Sequence, residues 1–179
     1  MRVRSVSSQE LTGREIEQIR ELLTVAFDSQ DDGFADSDWE HAVGGRHFLL
    51  EIDGALHAHA AVVPRELDVD GRRLRTGYVE AVAVAPPQQR KGRGAQIMHA
   101  VNAYINESYE LGALSTGRSA FYERLGWQVW KGPTFVRTAH GLERTAEDDG
   151  DILVLPTASS PPLDLSAPIS CEWRPGDVW

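Results

Sequence analysis

The stretch Val82-Ala83-Val84-Ala85-Pro86-Pro87-Gln88-Gln89-Arg90-Lys91-Gly92-Arg93-Gly94-Ala95 constrains this chain more than any other. An apolar, β-branched run halts at two prolines, a basic loop with two glycines follows, and a helical pattern starts at once and runs to about Glu107. A strand feeding a helix through such a loop gathers backbone N–H groups at the helix N-terminus, which makes an anion site. Gly92 and Gly94 let the main chain approach a ligand with no Cβ in the way, while Arg90, Lys91 and Arg93 add charge suited to a pyrophosphate. No Gly-Lys-Ser/Thr follows, which excludes a Walker-type loop, and no Gly-x-Gly-x-x-Gly opens the helix, which excludes the dinucleotide fingerprint.

Gln89 to Gly94 spells Gln-x-x-Gly-x-Gly. Read on its own, the hexapeptide is also what an ordinary strand-to-helix turn with a solvated basic loop looks like. It resembles the phosphate loop of the GNAT superfamily of acyl-CoA N-acyltransferases. The resemblance implies that Val82, Ala83 and Val84 offer backbone groups to the pantetheine arm and that Gln89, Arg90, Lys91, Gly92, Arg93 and Gly94 hold the pyrophosphate of acetyl-CoA. The fold it implies is α/β (α+β): a single GNAT domain over residues 1–179, with a mixed, mostly antiparallel sheet flanked by helices. The cofactor is expected where two strands, about residues 78–85 and 112–116, diverge.

A chain of 179 residues can bury a sizeable core without disulfides or a structural metal. Its one cysteine, Cys171, can form neither an internal disulfide nor a multi-cysteine zinc site, which points to a reducing compartment. No signal-peptide h-region opens the chain and no apolar run approaches the ~20 residues of a membrane helix, so a soluble, cytoplasmic protein with no membrane partner is expected. The 27 acidic residues against 18 Lys plus Arg leave a net charge of −9. That balance disfavours nucleic acid and suits a cationic partner, although solubility alone also accounts for it.

Along the chain, Arg2 to Ser7 alternates loosely and reads as a weak first strand. Thr12-Gly13-Arg14-Glu15 reads as a capping box opening a helix with Ile16, Ile19, Leu22, Leu23 and Ala26 on one stripe. An exposed loop covers Asp28 to Asp38, and a second capping box, Ser37-x-x-Glu40, starts a short helix that ends at Gly44-Gly45. Asp53-Gly54 and Asp70-Gly71 each sit between apolar runs and predict two hairpins, with Pro64 interrupting the strand between them. Strands are further predicted over 111–116, 127–130, 134–136, 152–155 and 169–173, and a short helix over 119–125. His57 and His59, two apart on one strand face, read as ordinary strand histidines because no third metal ligand accompanies them; no metal is expected.

Acetyl transfer to an amine needs a base for the ammonium proton, donors to polarise the carbonyl and an acid for the departing thiolate. Glu80 lies two residues before Val82 on one strand face, where a buried carboxylate is costly without a task. Tyr122, in Ala-Phe-Tyr-Glu-Arg-Leu-Gly-Trp over 120–127, resembles the superfamily tyrosine that protonates the coenzyme A sulfur, and a phenol with an ordinary pKa of about 10 stays neutral for that role. Without the resemblance it is as readily a core aromatic. Acidic residues gather at Asp31, Asp32, Asp36 and Asp38, at Glu147, Asp148, Asp149 and Asp151, and at Asp177 with the carboxylate of Trp179. Brought around Glu80 they would form an anionic cleft; otherwise they are solvated loops.

Segments 38–41, 77–80, 109–115, 148–150, 154–156 and Trp-Arg-Pro-Gly-Asp-Val-Trp at 173–179 together resemble the aminoglycoside 2′-N-acetyltransferases, from about Leu22 to the terminus. The likeness implies an aminoglycoside substrate held by Asp32, Asp38, Glu80, Ala81, Ser115, Asp148, Asp177 and Trp179, with Glu80 as general base through water and Tyr122 as general acid. It leaves open which of Asp148 and Asp149 faces substrate, and a homodimer. The loop before Asp38 and the segment from Ser115 to Tyr122 depart from the family pattern in length. Cys171 has no evident base beside it, so direct transfer without an acyl-cysteine is expected. The alternatives are an acetyltransferase of this fold for another amine, such as a polyamine or a protein N-terminus, and a noncatalytic module that binds acyl-CoA or a cationic sugar.

Overall fold

The structure, a computed structural model, describes residues 3–27 and 34–179; Arg2, Asp31 and Asp32 lie outside the described residues. In chain order the elements are β1 (Val3–Ser7), α1 (Gly13–Phe27), α2 (Asp36–Ala42), β2 (Arg46–Ile52), β3 (Ala55–Val69), β4 (Arg72–Val84) and α3 (Arg93–Ser108). They continue with β5 (Leu111–Ser115), α4 (Ser119–Glu123), β6 (Gln128–Val129), β7 (Thr134–Thr138), β8 (Gly141–Arg144), β9 (Ile152–Pro156) and β10 (Ile169–Glu172). They divide into two compact units, Met1–Val63 with Val79–Ala103, and Pro64–Tyr78 with Tyr104–Trp179.

In the first unit, β1 pairs antiparallel with β2 and β2 with β3. The predicted capping box opens α1: Thr12 N–H donates to Glu15 Oε2 at 2.8 Å and Glu15 N–H to Thr12 Oγ1 at 3.3 Å, satisfying two amides the helix leaves unpaired. The expected stripe is buried at Ile19, Leu22 and Leu23, which join Val6, Leu49 and Ala83 in one core cluster. Each such leucine contributes roughly 1.5–3 kcal/mol. The short helix α2 starts two residues earlier than Ser37-x-x-Glu40 implies, with Ala35 rather than Ser37 at the N-cap. Ala35 N–H donates to Asp38 Oδ2 at 2.9 Å, so Asp38 closes the first turn and Ser37 lies inside it.

Asp53 and Gly54 hold φ of 52° and 78°, the two left-handed positions of the predicted turn. A bulge between Leu50 and Glu51 then shifts the β2–β3 register, pairing Leu50 with Ala58 and skipping His57 on the β2 side, while the His57 carbonyl accepts Ala85 N–H of the segment after β4 at 2.9 Å. The two strand histidines differ in burial: His57 is half-buried and His59 is fully buried. Pro64 does not interrupt the strand. It sits exposed within β3, beyond the last β2 partner at Val62 and short of the β10 partner at Asp68, so on that edge its missing N–H costs no ladder bond.

In the second unit the strand order is β6-β9-β5-β4-β3-β10-β7-β8. Parallel pairs occur at β4–β5 and β10–β7, and the β5–β9, β6–β9, β10–β3 and β7–β8 ladders are antiparallel, so the sheet is mixed and mostly antiparallel, as expected. The β4–β5 ladder runs from Thr76 and Leu111 to Tyr78 and Ala113 and stops there. The strand β8 escapes sequence reading because Gly-Leu-Glu-Arg is exposed throughout and carries no alternation. Trp127 and Trp130 fill the interior of this unit, with Trp130 Nε1 donating to Ala167 O at 2.9 Å.

Gly45, between α2 and β2, packs so close to β3 that a Cβ there would lie 2.8 Å from the Val62 carbonyl carbon, whereas nothing lies within 4 Å of one at Gly13. Gly45→Ala is therefore expected to cost about 1–3 kcal/mol of stability. Gly13→Ala is expected to be neutral or slightly stabilising. Urea unfolding of the two variants beside the parent chain checks the contrast.

Candidate active site

The phosphate-loop residues form a compact turn in the first unit. After β4, a 3₁₀ turn at Pro86–Gln88 leads into Gln89, whose side-chain Nε2 donates back to Val84 O at 3.3 Å. Arg90 and Gly92 hold φ of 60° and 76°, so the backbone doubles back twice before α3 begins. Gly92 is required by that left-handed conformation, since nothing crowds its Cβ position. The first amide of this helix bonded in-register is Gln96 N–H, which donates to Gly92 O at 3.0 Å, and the amides ahead of it have no intrahelical acceptor. Arg93 adds a second signal: its Nε is buried and has no hydrogen-bond partner. An orphan guanidinium N–H beside open helix amides fits a polyphosphate.

The strand entering this loop has an irregularity that sequence reading missed. Ala81 holds φ of 52° inside β4, where an L-residue is strained. From there on, Ala81, Ala83 and Ala85 pack on the α1 core cluster. Glu80 is half-buried. Asp38, on α2, has one carboxylate oxygen committed to the Ala35 amide, and Asp36 pairs with Arg20.

The second unit carries the remaining candidates. Tyr122 is buried on α4, edge-on to Phe121 and Trp127 at ring distances of 4.9 and 6.2 Å. Burial pushes its phenol up to about 12, so it is neutral and able to donate. Ser115 is exposed at the end of β5.

Two of the three acidic groups come together here. Asp148 is half-buried and its carboxyl is pushed up to about 6, chiefly by burial and then by the charges of Asp177, Glu147 and Asp151. Its neighbour Asp149 is held down to about 2, first by Arg144 and then by hydrogen bonds from Thr134, whose N–H lies 3.1 Å away. Asp149 is thus committed to holding β7 and β8 together, and Asp148 stands with Asp177.

The C-terminal tail is tied to the same loop. Trp179 is buried, and its Nε1 donates to Thr145 Oγ1 at 3.0 Å. Arg174 Nε donates to Asp177 O at 2.7 Å and Nη2 to Trp179 O at 3.1 Å. Sequence reading singled out neither Thr145 nor Arg174, since only long-range partners reveal them. Cys171 is buried and its thiol is pushed up to about 11 by burial, with Sγ 3.3 Å from Val178 O, which makes it a poor nucleophile. Among the described residues no cluster of three or more His, Cys, Asp and Glu could hold a metal ion, and no helix is long and apolar enough to cross a membrane.

Residues 7–130 match the family model described as an acetyltransferase (GNAT) domain. The chain belongs to the GNAT acetyltransferases. Among its curated relatives, an aminoglycoside 2′-N-acetyltransferase of Mycolicibacterium fortuitum is 43% identical over 180 residues, covering 98% of this chain and 91% of that protein. Among solved structures, Escherichia coli ElaA superposes with a TM-score of 0.62 at 16% identity, covering 86% of this chain and 98% of its own. YhbS of Escherichia coli, a GNAT family N-acetyltransferase in complex with CoA, gives 0.60 at 17%, covering 95% and 88%. Eis1 of Mycobacterium abscessus gives 0.62 at 17%, covering 75% of this chain and 34% of that one, so the chain spans about a third of its length, as it does of several other matched structures. At these identities the superpositions speak to the fold.

The opposite shifts at 148 and 149 carry opposite signs for stability. Asp149 folds below its ordinary value, so its contribution is present at neutral pH and is lost as pH falls through about 2. Asp148 folds above its ordinary value, so its charge opposes folding above about 6 and the penalty is gone below about 4. At pH 7, Asp149→Asn is expected to lower Tm and Asp148→Asn to leave it unchanged or raise it. Both differences should shrink toward acid, as thermal melts across pH will read.

Proposed function

We propose that the chain transfers an acetyl group from acetyl-CoA directly to the 2′-amine of an aminoglycoside, inactivating the antibiotic. The observation that carries the substrate reading is the 43% identity over nearly the whole chain to a protein of that name. The anionic pairing of Asp148 with Asp177 supports it, because a polyamino sugar is a multiply charged cation. The cofactor reading rests on the orphan Arg93 Nε and the open amides of α3, where Gln89 to Gly94 would hold the diphosphate. Val82, Ala83 and Val84 would offer main-chain groups to the pantetheine arm. Acetyl-CoA supplies an activated acyl carbonyl and a thiolate leaving group.

We assign the remaining roles as follows. Glu80 accepts the proton of the attacking ammonium through a water, so the amine arrives with a free lone pair. A main-chain N–H of β4 polarises the carbonyl as nitrogen bonds to carbon. As the carbon–sulfur bond breaks, Tyr122 gives its hydroxyl proton to the sulfur, and the surplus proton lost by the new amide nitrogen restores the phenol. Burial keeps that proton in place until a thiolate asks for it. Asp38, Ala81, Ser115, Asp148, Asp177 and Trp179 are assigned to the amino sugar, of which Asp148 is preferred to Asp149 because Arg144 already occupies the latter.

A thiol-release assay with acetyl-CoA and a panel of amines tests this function. Turnover confined to amino sugars is the expected result; turnover of polyamines or peptide N-termini instead, or binding without turnover, would overturn it. Glu80→Gln and Tyr122→Phe are each expected to lower kcat on the order of a hundredfold with smaller changes in KM. The KM for the cationic substrate is expected to rise as pH falls below about 6, where Asp148 takes up a proton, and Asp148→Asn should flatten that rise.

A further inference from the structure

A buried line of hydrogen bonds in the first unit ends beside Glu80. The carbonyl of Ala81, the strained residue of β4, lies 2.8 Å from His59 Nδ1. A carbonyl oxygen only accepts, so His59 carries its proton on Nδ1, and in a neutral ring Nε2 is then an acceptor. His47 Nδ1 lies 2.9 Å from that Nε2 and must donate, which makes His47 Nε2 an acceptor for the Ser8 hydroxyl at 2.8 Å. Ser8 Oγ in turn accepts Gly44 N–H at 3.0 Å, and its one proton lies nearer to His47 Nε2 than to the other acceptor in reach, Gly45 O at 3.1 Å. Every link points the same way, and aligned hydrogen bonds of this kind reinforce one another. Both rings are fully buried, with the Trp39 ring 5.8 Å from that of His47. Burial lowers His47 to about 4 and, joined by the proximity of His47, lowers His59 to about 3, so both are neutral at working pH.

The line cannot relay a proton, because it terminates at a carbonyl. It can hold a peptide plane. The Ala81–Val82 peptide is trans, so its N–H points opposite to its C=O. With the carbonyl drawn to His59, the Val82 N–H is aimed the other way. We propose that His59 and His47, anchored by Ser8, are positioning residues for acetyl transfer: they lock the Ala81–Val82 peptide so that Val82 N–H stands ready as the donor to the acyl carbonyl. A donor fixed in advance costs no reorganisation as charge develops, which is how such groups accelerate acyl transfer. The inference rests on the acetyl-transfer reading and adds to it the groups that aim the donor.

Two measurements test it. Nitrogen-15 NMR of the imidazoles in the unsubstituted chain should show both His47 and His59 as Nδ1–H tautomers; an Nε2–H ring at either position overturns the proposal without any assay of activity. In steady-state kinetics, His59→Leu is expected to lower kcat about tenfold or more while leaving the KM for acetyl-CoA within about twofold. His59→Asn, whose amide N–H can take the place of Nδ1–H, should restore kcat to within about threefold of the parent. Parental kcat in a folded His59→Leu, or equal losses in folded Leu and Asn variants, overturns it. If neither variant folds, the tautomers decide. A chain with the expected tautomers and no turnover of any amine overturns acetyl transfer itself, whereas wrong tautomers with ordinary turnover overturn only the strut.

Discussion

A residue with a side chain, held left-handed in the middle of a strand, needs something to hold it there. At Ala81 the strain is of the order of 1–3 kcal/mol, and what opposes it is local: the alanine methyl packs on the α1 cluster and the carbonyl is taken by buried His59. Neither contact is made by a neighbour in sequence. The consequence is a strand with two characters. Leu74, Thr76, Gly77, Tyr78 and Val79 are buried, whereas Glu80, Ala81 and Val82 are half-buried. The break falls at the residue whose peptide was turned, directly after the carboxylate assigned to proton transfer.

A similar division of labour separates two adjacent aspartates. Asp148 and Asp149 are chemically identical and share one loop, but Arg144 and Thr134 saturate the second and leave the first beside Asp177. The saturated carboxylate fixes the loop, through a threonine pair in which Thr134 Oγ1 lies 2.6 Å from Thr145 O and 2.9 Å from Thr145 Oγ1. Thr145 also receives the Trp179 indole, so the tail that carries Asp177 is fastened to the loop that carries Asp148. The raised carboxyl pKa of Asp148 reflects burial first and then the like charges kept close to it, a cost that a bound cation would offset.

What sequence shows and what it hides divides along the range of the interactions. The Thr12–Glu15 box, the Asp53-Gly54 and Asp70-Gly71 turns and the α1 stripe depend on residues at most four apart, and each is where it was expected. The turn from Pro86 into α3 was legible for the same reason. The bulge near His57 was not, because it reflects register against β2. Nor was the partnership of His47 with His59, which are twelve residues apart and meet only once that register shifts. The continuity of β3 through Pro64 was misread because proline breaks a ladder only where its N–H would have had a partner, and pairing is invisible in one dimension.

Charge placement then resolves an apparent conflict between the two proposed substrates. A chain of net charge −9 should repel a coenzyme polyphosphate and attract a cationic sugar. Yet screening at physiological ionic strength confines each field to roughly 10 Å, so local composition decides rather than the total. Arg90, Lys91 and Arg93 fall within four residues, with open helix amides beside them and an orphan N–H on Arg93. In the other unit the charges of Asp177, Glu147 and Asp151 all act on Asp148. Two ligands of opposite sign can therefore be served by one acidic protein, provided its few clustered cations are placed where a helix already presents its positive end.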